Sequence, residues 1–259
     1  MESQDGLVRR TVRVMRAVAS NPDGVGLTDV ARLSALSKAT TLRILNELVA
    51  EGWVAANGET HKYRVSLGML DVVGRLLDGE STFDHLRRVL RHLSDETQET
   101  AGFDLLVQPH VVVVAQEGGP QLISQAIRPV PRSQPVWVTA TGRVFLAHEE
   151  PERIAQIYGP TYPSSNARER TLGIKRFTSE LEGVRNQGYA LVRNELEEGA
   201  SAIGAPVFNG DRVAYALWIG GPTFRFTDAR VPELAAEVMR SAHELSTLVQ
   251  VGEIQFAAN

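Results

Sequence analysis

Residues 27–48 constrain the fold of this chain more than any other segment, because they predict two short helices joined by a tight turn. Thr28 and Ser37 are residue types that favour helix N-caps, and they stand where the two helices would begin. Apolar residues recur at helical spacing along both helices: Val30, Leu33, Leu42, Leu45 and Leu48. One face of each helix is therefore expected to be buried.

The opposite face of the second helix is polar and basic. With Thr28 and Ser37 at the helix starts, the predicted DNA contacts of this segment are Lys38, Thr40, Thr41 and Arg43. Such side chains bond phosphate oxygens and base edges when a helix lies in the major groove. Helix pairs with a polar turn also occur throughout α-helical proteins, where the charged face is only solvated. Both interpretations stay open for this segment taken alone.

The segments on either side favour DNA binding. Residues 52–65 contain two strand-like runs around Asn57-Gly58, a dipeptide typical of tight hairpins. A helix-turn-helix followed by a hairpin is a winged helix, and three basic hairpin residues are expected beside the phosphates: His61, Lys62 and Arg64. Upstream, a first helix carries arginines that could anchor the DNA backbone: Arg9, Arg10, Arg13 and Arg16. Residues 1–65 hold nine Lys or Arg against seven Asp or Glu, although the whole chain has a net charge of −4.

The remaining chain predicts an α+β body. A linker helix is expected over residues 66–79, with an apolar stripe suited to dimerisation, and a further helix from Ser81. About six antiparallel strands are predicted, over residues 101–107, 110–116, 121–127, 189–192, 200–208 and 213–220. Further helices are predicted over residues 139–148, 151–158, 175–187 and 228–250, segregated to one face of the sheet. The expected domains are 1–65, a linker at 66–80, and 81–259.

Motifs for catalysis are scarce. The chain lacks cysteine, which excludes disulfides, thiolate metal sites and cysteine nucleophiles, and no metal or cofactor is expected. An acidic cluster at Glu195, Glu197 and Glu198 has two interpretations, a solvated loop or the carboxylates of a small-molecule hydrolase. Trp218 likewise suits either the wall of a ligand pocket or the core. No run approaches the roughly 18 apolar residues of a membrane span, and no signal segment is recognised, so a cytoplasmic location is expected.

Several short markers occur in a specific order along the chain. They are Leu27-Thr28 with Ala31, Lys38 with Thr40 and Arg43, Gly52, residues 63–68, residues 139–143, residues 188–190, Glu195-Leu196-Glu197 with Gly199, residues 205–208, and Gly221-Pro222. In these markers the chain resembles the IclR family of transcriptional regulators, from about residue 7 to residue 250. The resemblance implies a winged-helix N-terminal domain, a linker helix and a GAF-like C-terminal domain that binds a small effector. It also implies dimers or dimers of dimers on operator DNA.

The resemblance further implies effector contacts at seven positions: Ile123, Ala140, Thr141, Val192, Ala202, Trp218 and Gly220. Family members that bind small carboxylates have hydroxyl, thiol or carboxylate groups at four of these positions. This chain has apolar side chains or no side chain there: Val192, Ala202, Trp218 and Gly220. A larger, flatter and more apolar effector is therefore expected, such as an aromatic acid or a related catabolic intermediate stacked on Trp218. The leading hypothesis is a ligand-responsive DNA-binding regulator.

Two alternatives accompany this hypothesis. One is a hydrolase using Glu195 and Glu197, with the N-terminal domain as an oligomerisation module. The other is an interaction protein with a degenerate winged helix, since Ala39 and Leu42 reduce the polar surface of the second helix.

Overall fold

A computed structural model describes residues 6–69, 80–163 and 167–252 of the chain. The chain divides into two compact units, residues 1–79 and residues 80–259. The predicted linker helix falls mainly on residues 70–79, which lie outside the described residues.

The N-terminal unit is a three-helix domain with a small antiparallel sheet. Its elements are α1 (Leu7–Val18), β1 (Val25–Gly26), α2 (Leu27–Ser34), α3 (Lys38–Ala50), β2 (Val54–Asn57) and β3 (Lys62–Val65). The strand order is β1-β3-β2, so the predicted hairpin forms the wing and its second strand also pairs with β1. The buried core draws on all three helices and includes Val14, Val18, Val30, Ile44, Leu45 and Leu48.

Three expectations for these helices were wrong in detail. Gly26, whose backbone is extended, is the N-cap of α2, because Thr28 already lies within the helix. Leu33 is 49% exposed, because Val30, Ala31 and Ser34 form the inward face of α2. Leu42 is 38% exposed, because the inward face of α3 is formed by Thr41, Ile44, Leu45 and Leu48.

The C-terminal unit contains a six-stranded antiparallel sheet, as predicted, in the order β6-β5-β4-β9-β8-β7. Its strands are β4 (Thr100–Val107), β5 (His110–Glu117), β6 (Arg132–Pro135), β7 (Ala190–Arg193), β8 (Ala200–Asn209) and β9 (Arg212–Pro222). Its helices are α4 (Glu80–Thr97), α5 (Ala140–Ala147), the short α6 (Pro151–Arg153), α7 (Ala167–Gln187) and α8 (Val231–Gln250). A π-helical turn, Ile154–Tyr158, completes the predicted 151–158 helix. Helix α7 begins eight residues before its predicted start, and α8 begins three residues after its predicted start.

The predicted strand at residues 121–127 is wrong. The edge of β5 pairs instead with β6, where His110 lies opposite Pro135, so residues 121–127 have no neighbouring strand with which to pair. Bonds from other parts of the unit hold this loop. Thr100 Oγ1 donates to the Gln125 carbonyl at 3.1 Å, and Arg225 Nη1 donates to the Ile123 carbonyl at 2.8 Å.

Helices pack on both faces of the sheet, and the expectation of a single helical face was wrong. Alternate residues of a strand point to opposite faces. On β9, Leu217 and Ile219 pack with α4 and α8, whereas Ala216 packs with α5 and α7 on the other face. Trp218 shares the face of Ala216, where Gly102 and Gly204 lie directly beside it on β4 and β8.

Candidate functional site

The exposed side of α3 in the N-terminal unit is the candidate DNA-binding surface. Ser37 is the N-cap of the helix: its Oγ accepts from the Thr40 amide at 3.2 Å and donates to Thr40 Oγ1 at 2.9 Å. Lys38 and Arg43 are exposed and Thr40 is half-buried. These positively charged and hydroxyl groups at the start of α3 suit contacts with phosphates and base edges.

Thr41 does not belong to this surface, and its prediction as a DNA contact was wrong. It is fully buried, and its hydroxyl donates to the Ser37 carbonyl at 2.9 Å. The hydroxyl therefore tightens the first turn of α3 and faces the core. The exposed Leu42 lies next to Arg43 and brings an apolar group to the candidate surface.

The other predicted DNA contacts are distributed around α3. Arg9 is exposed and Arg10 and Arg13 are half-buried on α1, and Thr28 is exposed in the first turn of α2. Exposed basic side chains also follow the tip and second strand of the wing: His61, Lys62 and Arg64. The structure thus leaves polar or basic groups accessible on all three helices and the wing.

A cleft in the C-terminal unit opens beside Trp218, on the sheet face covered by α5 and α7. This inner cleft has about 460 Å³ of empty space, part of it open to solvent. It is lined by Asp104, Gln125, Gln134, Val138, Thr139, Ala140, Thr141, Val192, Glu195, Leu196, Ala200, Ser201, Ala202 and Trp218. Its mainly apolar lining with a few polar groups is typical of small-molecule sites.

Glycine on β4 allows the Trp218 indole to lie across the sheet. A Cβ added at Gly102, the residue paired with Trp218, would overlap the Cε2 and Cζ2 atoms of the indole. The tryptophan is 5% exposed and lines the inner cleft. Trp218 is therefore buried and also forms part of the cleft wall, which fits both interpretations left open from the sequence.

Asp104 organises the polar end of the inner cleft. The Trp218 indole N–H donates to Oδ1 at 2.6 Å, and the Thr141 hydroxyl donates to Oδ2 at 2.6 Å. Burial raises the pKa of Asp104 to about 6, although both hydrogen bonds and the nearby Arg132 oppose this shift. A carboxyl group with two neutral donors therefore fixes the orientation of the indole and of the first turn of α5.

Five of the seven predicted effector positions line the inner cleft: Ala140, Thr141, Val192, Ala202 and Trp218. Ile123 lies outside it, and at Gly220 the Gln125 side chain occupies the space that a Cβ would take. The sequence reasoning missed Asp104, Gln125 and Gln134. An acidic residue within the apolar run 101–107 was the available signal for Asp104, because such a residue in a central strand needs hydrogen-bond partners.

A second depression, the outer cleft, shares Gln125, Gln134, Leu196 and Ala200 with the inner one. Its wider lining includes Ile123, Ser124, Ala126, Arg128, Arg132, Glu197, Glu198, Gly199, Gly221 and Pro222. The outer cleft therefore forms the mouth of the inner cleft and carries two arginines.

Two glutamates of the acidic cluster at residues 195–198 form ion pairs with arginines. Arg143 Nη2 contacts both Glu195 oxygens, at 2.8 and 2.6 Å, and its guanidinium lies over the Phe177 ring. Arg128 contacts Glu197 at 3.4 Å. Within residues 6–69, 80–163 and 167–252, no cluster of His, Asp or Glu is arranged to hold a metal ion, and no helix has the length and apolar character of a membrane span.

The two units together define the class of this protein, a helix-turn-helix transcriptional regulator. Family models match both parts of the chain: the IclR helix-turn-helix domain over residues 7–58, and the bacterial transcriptional regulator IclR C-terminal domain over residues 75–247. The chain belongs to the IclR family.

Curated relatives agree with this assignment. The HTH-type transcriptional regulator KdgR of Escherichia coli K12 is 30% identical over 224 residues, which cover 86% of this chain and 84% of KdgR. The transcriptional repressor IclR of the same organism is 23% identical, with coverage of 92% and 87%. These relatives are named as regulators, so the chain is a regulator and not an enzyme, and the hydrolase interpretation of Glu195 and Glu197 was wrong.

A solved structure supports the fold. The crystal structure of an IclR transcriptional regulator from Silicibacter sp. TM1040 superposes with a TM-score of 0.80 at 22% identity, covering 97% of this chain and all of that one.

Proposed function

We propose that this regulator binds operator DNA through the start of α3 and the wing, and that a small metabolite in the inner cleft changes its affinity for DNA. The DNA-binding domain is assigned to residues 1–65, the linker to 66–80 and the effector domain to 81–259. The protein acts in the cytoplasm as a homodimer or a dimer of dimers, because two half-sites double the number of groove contacts. No cofactor takes part.

The effector is a flat, largely apolar catabolic metabolite. The observation that supports this ligand class is the Trp218 indole, which lies across Gly102 and lines the inner cleft with Val192 and Ala202. An aromatic ring stacks well on an indole, whereas a small 2-oxo acid would leave most of this apolar lining uncovered. Effector binding changes the affinity for DNA only if the protein has two conformations that differ in the arrangement of the linkers. These two conformations must bind the effector with different affinities.

A gel-shift assay with DNA upstream of the chain's own gene or a neighbouring gene tests the DNA-binding surface. Lys38→Ala and Arg43→Ala are each expected to weaken binding at least about fivefold and to reduce its salt dependence, since each removes a phosphate or base contact. Arg176→Ala, which removes an exposed arginine of the C-terminal unit, is the charge control. Absence of retardation at low salt contradicts the proposal and favours a degenerate winged helix.

Tryptophan fluorescence tests the effector class. Aromatic acids and related catabolic intermediates are titrated against the parent protein and Trp218→Phe. Quenching that disappears in the variant supports stacking on this indole, whereas quenching only by small 2-oxo acids contradicts the proposed ligand class.

A further inference from the structure

Arg132 carries a buried polar atom that the fold leaves unused. Its Nη1 donates to Gln116 Oε1 at 2.8 Å, which fixes the guanidinium at the wall of the outer cleft. Its Nε is also buried, and within the part of the chain that the structure describes no hydrogen-bond acceptor reaches it. A buried donor without an acceptor costs free energy, so a ligand that supplies the acceptor recovers this cost on binding.

Arg128 lies beside Arg132 in the same cleft. Gln116 joins the two residues, because its amide nitrogen donates to the Arg128 carbonyl at 2.6 Å while its oxygen accepts from Arg132. The Arg128 guanidinium forms an ion pair with Glu197 at 3.4 Å, in which both side chains are more than 60% exposed. Such an exposed pair contributes little stability, so a ligand anion can replace Glu197 at small cost.

The polar end of the inner cleft is less suited to an anion. The N-terminal turn of α5 would ordinarily attract one, but Asp104 already places its carboxyl group against Thr141 in that turn. Glu195 also lines the inner cleft, where Arg143 pairs with it. A second carboxylate there would meet Asp104 at close range, whereas the mouth of the cleft offers two arginines.

We propose that Arg132, assisted by Arg128, binds the anionic group of the effector at the mouth of the cleft, so that the effector is an organic acid whose flat apolar body reaches Trp218. The planar fork of a guanidinium matches a carboxylate, and a shift of the Arg132 side chain towards the ligand brings the buried Nε within reach as one of its donors. This assignment rests on the proposed function, because it names the charged end of the ligand that the inner cleft accepts.

The test compares acids with neutral compounds of the same shape. Benzoate, 4-hydroxybenzoate and phenylacetate are titrated against the full chain beside their carboxamides. Calorimetry and the tryptophan quenching that is lost in Trp218→Phe are the readouts. The parent protein is expected to bind at least one acid ten or more times more tightly than its amide. Arg132→Gln is expected to reduce this preference to less than threefold, and Arg132→Lys, which keeps the charge but loses Nε, to give an intermediate preference.

Arg176→Gln is the matched control and is expected to keep the full preference for acids, since Arg176 is an exposed residue of α7 that contributes to neither cleft. Circular dichroism and the unfolding temperature confirm that each variant is folded. Amides that bind as well as the acids, or an acid preference unchanged in Arg132→Gln, overturn the anion assignment while leaving the cleft as a binding site. If no compound of either series binds, the aromatic ligand class of the proposed function fails, and the anion assignment fails with it.

Discussion

Adding one carbon atom at Gly102 tests whether the Trp218 indole lies across Gly102 on β4, as the structure of the inner cleft shows. In Gly102→Ala the new Cβ would overlap the Cε2 and Cζ2 atoms of the indole. The strand backbone cannot move far, because Gly102 is paired with Gln116 on β5 and with Trp218 on β9. The indole is therefore expected to rotate away and to lose its hydrogen bond to Asp104.

The expected cost is the sum of three effects. Overpacking in a filled site costs about 1–3 kcal/mol, and separating a buried donor from its acceptor costs a further 1–3 kcal/mol or so. Replacing glycine in an ordinary strand conformation returns up to about 1 kcal/mol through the unfolded chain. The net destabilisation is about 1–6 kcal/mol, which corresponds to a fall of roughly 2–24 °C in the unfolding temperature of a unit of this size.

Thermal unfolding of the full chain, followed by tryptophan fluorescence, measures this effect. Gly183→Ala is the matched control, because Gly183 lies in the exposed part of α7 and nothing lies within 4 Å of an added Cβ. That variant is expected to be unchanged or more stable by about 1 kcal/mol. If Gly102→Ala unfolds at the same temperature as the parent protein and the tryptophan emission is unchanged, the Trp218 indole does not lie across β4.

Two further predictions concern buried carboxylates. The pKa of Asp104 is raised in the folded state from 3.8 to about 6, so the folded protein binds this proton more tightly than the unfolded chain does. The contribution of Asp104 to the free energy of unfolding is therefore lost as the pH rises from about 4 to 6, by about 3 kcal/mol in total. Asp104→Asn is expected to remove this decline, as measured by unfolding of both proteins across that range; an unchanged decline contradicts the assignment. Glu99 is fully buried and accepts two hydrogen bonds of 2.6 Å from Arg225 and one of 3.2 Å from Arg230. Glu99→Gln leaves both arginines poorly paired and is expected to destabilise the C-terminal unit by about 3–5 kcal/mol in denaturant unfolding, a loss below 1 kcal/mol arguing against a structural pair.

The local pattern was sufficient wherever a segment forms its structure with its own neighbours. Helical spacing and the Ser37 cap predicted α3, and Asn57-Gly58 predicted the wing. Alternating apolar runs located five of the six strands of the large sheet to within two residues at each end. These features depend on periodicity and turn chemistry, which are present in the sequence itself.

The structure of residues 121–127 is not determined by their own pattern. Its composition favours a strand, but a strand also needs a free edge, and β6 occupies the edge of β5. Arg225 and Thr100, distant in the sequence, then hold the segment as a loop through backbone carbonyls. Strand pairing is decided by competition among distant segments, and the pattern of one segment does not contain that information.

By itself, the sequence determined the class of the protein: a winged helix with a basic second helix, followed by an α+β domain without cysteine or a catalytic motif. Only the tertiary structure decided which side chains face DNA or ligand. In the folded N-terminal unit, the Thr41 side chain is buried in the core. In the C-terminal unit, Asp104, Thr141 and Trp218 come together from three elements. The physical reason is that burial and hydrogen-bond pairing depend on residues far apart along the chain, whereas helix and strand periodicity depend on near neighbours.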